Sequence, residues 1–311
     1  MLMKVIYGIG NLARGPRIPK VVTVGVFDGV HRGHQMILRK VVKEARERGA
    51  CSAVVTFALH PSCLMNPTQK IPSLTSLEHK LLYLEKEGID VCYVIGFSKV
   101  FARISPESFI RDILLKKLRM VSFFVGEDFV FGKGARGDKN LLKKMSKRFH
   151  FQLHIVKHLK GKRRIVSSTL IRKMIKSGDL DLAKTFLGRP VSLLGEIIKG
   201  EGRGKSLGFP TANMEAPHEV LLSNGVYATQ ALYGGRSFKS VTYIGTKPTF
   251  KKKRRIRSIE VFLLGFWRNI YGRKMEVRFI KKLRDDRKFP SKEALIAQIK
   301  EDIAAVRKIF R

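Results

Sequence analysis

Gly25-Val26-Phe27-Asp28-Gly29-Val30-His31-Arg32-Gly33-His34 is the stretch that decides how the first half of the chain is read. The apolar run 21–27 has the length and β-branched content of a buried strand, and residues 33–48 follow with Ile37, Val41 and Ala45 at helical spacing. The decapeptide is therefore the turn between a strand and a helix. In an open α/β sheet, ligands sit outside the carboxyl ends of the strands. The first N–H groups of the helix are free to bind phosphate oxygens there. Gly25 and Gly33 allow a nucleotide close to the backbone, with Phe27 and Asp28 beside it. A lone histidine here would do no more than cap the helix. Two, His31 and His34, can donate to a phosphate whose charge grows in a transition state.

Outward from this turn the alternation repeats. Strands are expected over 51–57, 91–97, 121–125 and 151–156. Helices are expected after the Thr75–Glu78 capping box, after Ser105-Pro106 and over 140–149. Strands alternating with helices predict a parallel sheet covered on both faces, Rossmann-like in class. Near Ser167-Ser168-Thr169-Leu170-Ile171-Arg172, hydroxyls precede a helix and an arginine follows one turn later, which taken alone reads as an ordinary N-cap with a surface arginine.

The pattern changes after Gly188-Arg189-Pro190. Short strand-like runs follow at 191–199, 225–232, 238–244, 259–266 and 274–281, with glycine dense between them. They predict a small antiparallel β-barrel. Ser291 is placed to cap a final helix whose apolar side carries Leu295, Ile299, Ile303 and Val306. Two domains are expected, 1–185 and 186–311. The second contains Gly200-Glu201-Gly202-Arg203-Gly204-Lys205-Ser206-Leu207-Gly208-Phe209-Pro210-Thr211-Ala212-Asn213. This is not a P-loop, because Lys199 stands where its first glycine belongs and Pro210 is too close for the helix that must follow.

Composition bounds the rest. The chain has 311 residues, 44% of them hydrophobic, so disorder is excluded as a description of the whole. No stretch is long and apolar enough to be read as a membrane span, and no signal peptide is expected. Cys51, Cys63 and Cys92 form neither a disulfide framework nor a metal motif, which fits a reducing cytoplasm. Lys and Arg number 62 against 25 Asp and Glu, a net charge of +37. Such a field attracts anions, but it speaks to association and not to reaction type.

The His31–His34 string resembles the nucleotidyltransferases with an H-x-G-H signature, and 167–172 resembles their distal phosphate-gripping motif. The filler narrows the match. Residues 125–132 with Gly137-Asp138, and Ser105 to Phe109, are similar to the bacterial bifunctional riboflavin kinase/FMN adenylyltransferase family. So is the Pro210-Thr211-Ala212-Asn213 element, along with Asn224-Gly225-Val226-Tyr227, the loop 244–250, Glu260 with the four residues after it, and the segment 283–289. The resemblance covers essentially the whole chain. It implies that riboflavin is phosphorylated to FMN and FMN adenylylated to FAD, with ATP and Mg²⁺ in use. It further implies that His31, His34 and Arg172 stabilise adenylyl transfer while Gly25, Phe27, Asp28, Gly33, Ser167, Ser168 and Thr169 hold its nucleotide. His60, Asp128 and Phe129 would hold its flavin. In the kinase half it implies nucleotide binding by Gly204, Lys205, Gly208 and Pro210, metal contact by Thr211 and Asn213, flavin contact by Arg284 and Phe289, and Glu260 as base.

Three departures stand out. Ala58 and Leu59 replace the acidic residue and first proline of the family's T-F-D/E-P-H-P loop, though His60 and Pro61 remain. Phe262 and Gly265 stand where the family often has His and Asp. The first departure motivates a rival, a riboflavin kinase with an impaired adenylyltransferase half. The charge motivates another, a nucleic-acid-binding protein, but no RNP, KH or zinc-finger pattern supports it, and no specific nucleic-acid partner is expected. An adenylyltransferase for some other phosphorylated cofactor fits the linked kinase signature poorly. Oligomeric state is left open.

Overall fold

The computed structural model describes residues 2–58, 71–161, 164–200, 202–216, 219–220, 222–248 and 255–311. The chain divides into two compact units. One comprises Met1–Ser73 and Leu77–Ser168, the other Leu74–Ser76 and Thr169–Arg311.

The first unit holds six parallel strands: β1 (Lys4–Tyr7), β2 (Lys20–Val24), β3 (Cys51–Phe57), β4 (Val91–Ile95), β5 (Met120–Gly126) and β6 (Gln152–Val156), in the order β1-β4-β3-β2-β5-β6. Every residue of β2, β3 and β4 is buried, as expected of parallel strands covered on both sides. Alternate residues serve different cores. Val22, Val24, Ala53, Val55 and Tyr93 join one apolar cluster, while Val21, Val54, Cys92 and Val94 join the other. Helices α1 (Arg32–Glu47) and α2 (Leu77–Lys86) pack on the second cluster. The helix Phe109–Lys117 (α3), of π type, and α4 (Lys139–Phe149) pack on the first. In α1 the buried stripe is Leu38, Val41, Val42 and Ala45, with Ile37 at its edge. Ser105 caps the turn that leads into α3, accepting from Ser108 N–H at 3.1 Å with Pro106 in the first helical position, as anticipated. The edge strand β1 carried too little pattern to be anticipated.

From β2 the chain moves outward to β3, and from β5 it moves outward to β6 on the opposite side. The switch point of the sheet therefore lies between β2 and β5, where α/β folds form a ligand crevice. The signature turn leaves the end of β2, and Glu127-Asp128-Phe129 leaves the end of β5.

In the second unit, helices α5 (Ser168–Ser177, whose first residue still belongs to the other unit) and α6 (Leu180–Leu187) precede the barrel. Six antiparallel strands close it: β7 (Val191–Ile198), β8 (Ala212–Glu215), β9 (Gly225–Tyr233), β10 (Arg236–Pro248), β11 (Arg255–Leu263) and β12 (Lys274–Arg284), in the order β8-β11-β10-β9-β12-β7. Strand β8, which begins in the Pro-Thr-Ala-Asn element and runs on to Glu215, was not anticipated. Tyr233 pairs with Arg236 across Gly234 and Gly235, whose φ of 55° and 74° give the tight hairpin that two glycines favour. The last helix, α7 (Lys292–Ile309), is capped by Ser291, whose hydroxyl accepts from Ala294 N–H at 3.2 Å.

Candidate active sites

In the first unit the signature turn is wound tightly. Phe27, Gly29 and Val30 have φ of 50°, 79° and 38°. A left-handed backbone at a β-branched residue is costly and persists where packing holds it. Phe27 and Val30 are both buried. His31 is the N-cap of α1, with Nδ1 accepting from His34 N–H at 3.3 Å. An imidazole accepting at Nδ1 carries its neutral-form proton on Nε2, so His31 offers an Nε2–H donor. The His31 and His34 rings stack at 3.6 Å, and Phe27 meets His34 edge-on at 5.2 Å. Gly33 has no room for more: a Cβ there would lie 3.2 Å from the His31 ring. Asp28 is buried, and its backbone carbonyl accepts from the Ser168 hydroxyl at 2.9 Å. Ser168, in the first unit, is thus bonded to the signature turn. Ser167 is half-buried, Thr169 exposed, and Arg172 half-buried one turn along α5.

Beside the turn, a cavity of about 640 Å³ opens at the ends of β2 and β5. Gly25, Val26, Asp128 and Phe129 line it, with Phe57, Phe97, Phe101, Phe109 and Phe131. Phe57, Phe97 and Phe101 meet edge-on at 5.6–5.9 Å, and Phe129 stacks on Phe131 at 5.5 Å. A space walled by aromatic rings suits a large planar ligand. Asp128 lies at its rim, 3.6 Å from His158 Nε2. His60, expected here, and Leu59 lie outside the described residues.

Sequence reading missed Lys80. This lysine on α2 is 5% exposed and donates to Val26 O at 3.0 Å, Thr56 Oγ1 at 3.2 Å and Phe57 O at 2.9 Å. Burial pushes it down to about 8, against the opposing pull of Asp28. A lysine on the buried stripe of an amphipathic helix was the available signal.

In the barrel, Glu260 on β11 pairs with Asn213 on β8 and with Tyr243 on β10. Residues directly opposite on antiparallel strands share a face, so these three side chains project together. Thr211 Oγ1 lies 3.5 Å from the Glu260 carboxylate. Tyr243 donates to Asp286 at 3.2 Å, and burial, then the Asp286 charge, pushes its hydroxyl up to about 12. The glycine-rich arm makes one helical turn, Arg203–Ser206, and Gly208 follows with φ 85° before Pro210. Gly204 packs on the Phe209 carbonyl and on Thr211, and a side chain at Gly200 would collide with the Asn213 amide. Lys205 is on this turn, its side chain outside the described set. A cavity of about 460 Å³ collects Gly204, Phe209, Thr211, Tyr243, Glu260 and Phe262 with Arg284 and Phe289. Arg284 grips Asp302 of α7 by two bonds, at 3.1 and 2.9 Å, and its guanidinium lies 5.4 Å from the Phe289 ring. Tyr243, Asp286 and Asp302 were not anticipated. Asp302 occupies the stripe of Leu295, Ile299 and Val306, where an acid requires a partner.

Oxygen donors from Thr211, Asn213 and Glu260 suit a hard cation such as Mg²⁺. With one carboxylate among them, they suit an ion that takes its remaining ligands from nucleotide phosphates and water.

A family model described as FAD synthetase matches residues 16–170, and one described as riboflavin kinase matches 187–310. A protein of Buchnera aphidicola subsp. Schizaphis graminum is 36% identical over 310 residues, covering 99% of each chain. One of Escherichia coli K12 is 37% identical over 99% of this chain and 98% of its own. One of Listeria monocytogenes is 36% identical over 94% and 93%. All three are named bifunctional riboflavin kinase/FMN adenylyltransferase. A solved chain described as a macrolide-efflux protein of Streptococcus pneumoniae superposes with TM-score 0.86 at 27% identity, covering 99% of each chain, and that likeness carries the fold. Among the described residues no helix is long and apolar enough to cross a membrane. Domain order, full-length identity and fold agree, and the chain belongs to the bifunctional riboflavin kinase/FMN adenylyltransferase family.

Proposed function

We infer that the chain phosphorylates riboflavin to FMN in the barrel and adenylylates FMN to FAD at the signature turn. The observation that carries this reading is the aromatic cavity beside the His31 turn, a planar-ligand site joined to a phosphate-binding helix terminus. The domains assigned to the two steps are 186–311 and 1–185.

In the barrel, Glu260 accepts the proton of the riboflavin 5′-hydroxyl as that oxygen attacks the γ-phosphate of ATP. Thr211 and Asn213 would hold Mg²⁺ and the phosphates, and the ion would supply charge neutralisation at the transferring group. Gly204, Lys205, Gly208 and Pro210 form the arm over the nucleotide. Arg284 and Phe289 flank the flavin. Asp302 keeps the Arg284 guanidinium in one orientation.

In the first unit, an FMN phosphate oxygen attacks the α-phosphate of ATP, forming a P–O bond as pyrophosphate leaves. The attacking group is already anionic, so the protein positions and neutralises. His31 donates through Nε2–H, and His34 and the first N–H groups of α1 share the charge. Gly25, Phe27, Asp28 and Gly33 admit the nucleotide, while Ser167, Ser168, Thr169 and Arg172 take its distal phosphates. Asp128, Phe129 and His60 are assigned to the flavin. The phenylalanine cavity formed among the described residues speaks against an impaired adenylyltransferase half.

We place the enzyme in the cytoplasm, where Cys51 and Cys92, both free and buried, stay reduced. No specific nucleic-acid partner is assigned to the +37 charge; RNA held by charge alone loses affinity steeply with salt. The test is chromatography of products from riboflavin or FMN with Mg-ATP. FAD from both substrates supports the reading. FMN alone from riboflavin restores the impaired-half rival, and neither product overturns both assignments.

A further inference from the structure

Lys80 saturates its donors. An ammonium has three N–H groups, and Val26 O, Thr56 Oγ1 and Phe57 O lie at 3.0, 3.2 and 2.9 Å. The Thr56 hydroxyl donates to the same Val26 carbonyl at 3.1 Å and keeps lone pairs for the lysine. These acceptors sit at and just beyond the ends of the two central strands. Val26 is the last residue before the left-handed turn at Phe27, Gly29 and Val30. On its far side that turn is held by Gln35 Nε2, which donates to Val30 O at 2.9 Å. A strained turn persists where its surroundings over-determine it, and Lys80 with Thr56 supplies the near-side anchor.

We propose that Lys80 is a positioning residue for adenylyl transfer, pinning the Val26 carbonyl and thereby the turn that aims His31 and His34. This rests on reading the turn as the adenylyl-transfer site. Among the described residues, Asp28 of the turn and Cys92 of β4 are titratable groups facing Lys80. Burial pushes the Cys92 thiol up to about 12, so it stays neutral where Lys80 titrates near 8. A neutral amine has two N–H donors, so deprotonation breaks at least one of the three bonds. Adenylyl transfer therefore declines above about pH 8 as the anchor loosens.

The test compares Lys80→Met with wild type in the full chain. FMN formation from riboflavin reports that the barrel is intact, and amide protection across β2, β3 and β4 reports that the first unit has folded. The measurements are kcat and KM for FAD formation across pH values on both sides of 8, and amide hydrogen exchange over 25–34. Lys80→Met should lower kcat on the order of 10²-fold with little change in the KM for FMN, as a misaimed group does. It should lose the alkaline decline and speed exchange at 27–30, while the kinase rate stays at the wild-type level. Thr56→Val keeps the ammonium and removes one acceptor, so it should move the same readouts the same way, less far. It decides the matter should Lys80→Met fail to fold. Wild-type kcat, an unchanged alkaline limb and unchanged exchange in the folded variants would overturn the proposal. If wild type made no FAD, the reading of the site would fall, and exchange at 27–30 would still decide whether Lys80 holds the turn.

Discussion

Glu260 and Asn213 stand directly opposite one another on two antiparallel strands of the barrel, with the Thr211 hydroxyl 3.5 Å from the Glu260 carboxylate. The group assigned to take the proton is thus fixed beside the groups assigned to hold the metal and phosphates. Glu260→Gln keeps the shape and removes the base. FMN formation from riboflavin should fall about 10²- to 10⁴-fold, with FAD formation from supplied FMN unchanged. Steady-state assays of both steps on one preparation check this.

A methyl group at position 33 would press on His31. The Cβ of Gly33→Ala would lie 3.2 Å from the ring, and the ring must shift by a few tenths of an ångström to relieve the contact. FAD formation should fall by roughly 10- to 100-fold through misplacement of the donor. The kinase rate should not move. A folding defect confined to the first unit would also spare the kinase rate, and urea unfolding of that unit separates it from misplacement of the donor.

Lys80 gives stability and activity opposite pH dependences. Its folded pKa, near 8, lies below the ordinary value of 10.5. Between those values the unfolded chain binds more protons than the folded one, so stability rises with pH across that window. Relative to Lys80→Met, wild type should gain on the order of 3 kcal/mol from pH 8 to 10.5. Urea titrations of both proteins at the two ends of the window measure the difference. FAD formation should decline over the same window.

Asp302 is buried and holds Arg284 by two bonds. Asp302→Asn leaves a half-buried guanidinium without its counter-charge and should destabilise the barrel by about 3 kcal/mol. It also frees the segment bearing Phe289, so the KM for riboflavin should rise more than kcat falls. Thermal unfolding together with riboflavin titration of the kinase step checks both effects.

The legible parts were those with local signatures. Strand, turn and helix around His31 follow from apolar runs broken by glycine, and Ser291 and Ser105 cap as their positions require. The illegible parts depend on register and on packing across the sheet. Tyr243 joins Glu260 through a strand pairing that no local pattern fixes. The phenylalanine cavity gathers its rings from β3, the segment after β4, the start of α3 and the loop after β5, so they are far apart in sequence. Lys80 and Asp302 share one readable trait, a charge on the apolar stripe of a helix. That trait announces a buried partner without saying which one.

Two reactions at two sites sharing no residue form the central claim, and a mixing experiment tests it most directly. His31→Asn keeps an oxygen to cap α1 and lacks the imidazole donor. With riboflavin and Mg-ATP, His31→Asn alone should stop at FMN and Glu260→Gln alone should make FMN and FAD only at its residual kinase rate. The two variants mixed should produce FAD, because FMN released by the first is adenylylated by the second. FAD from His31→Asn alone at the wild-type rate, or FMN from Glu260→Gln alone at the wild-type rate, would contradict it.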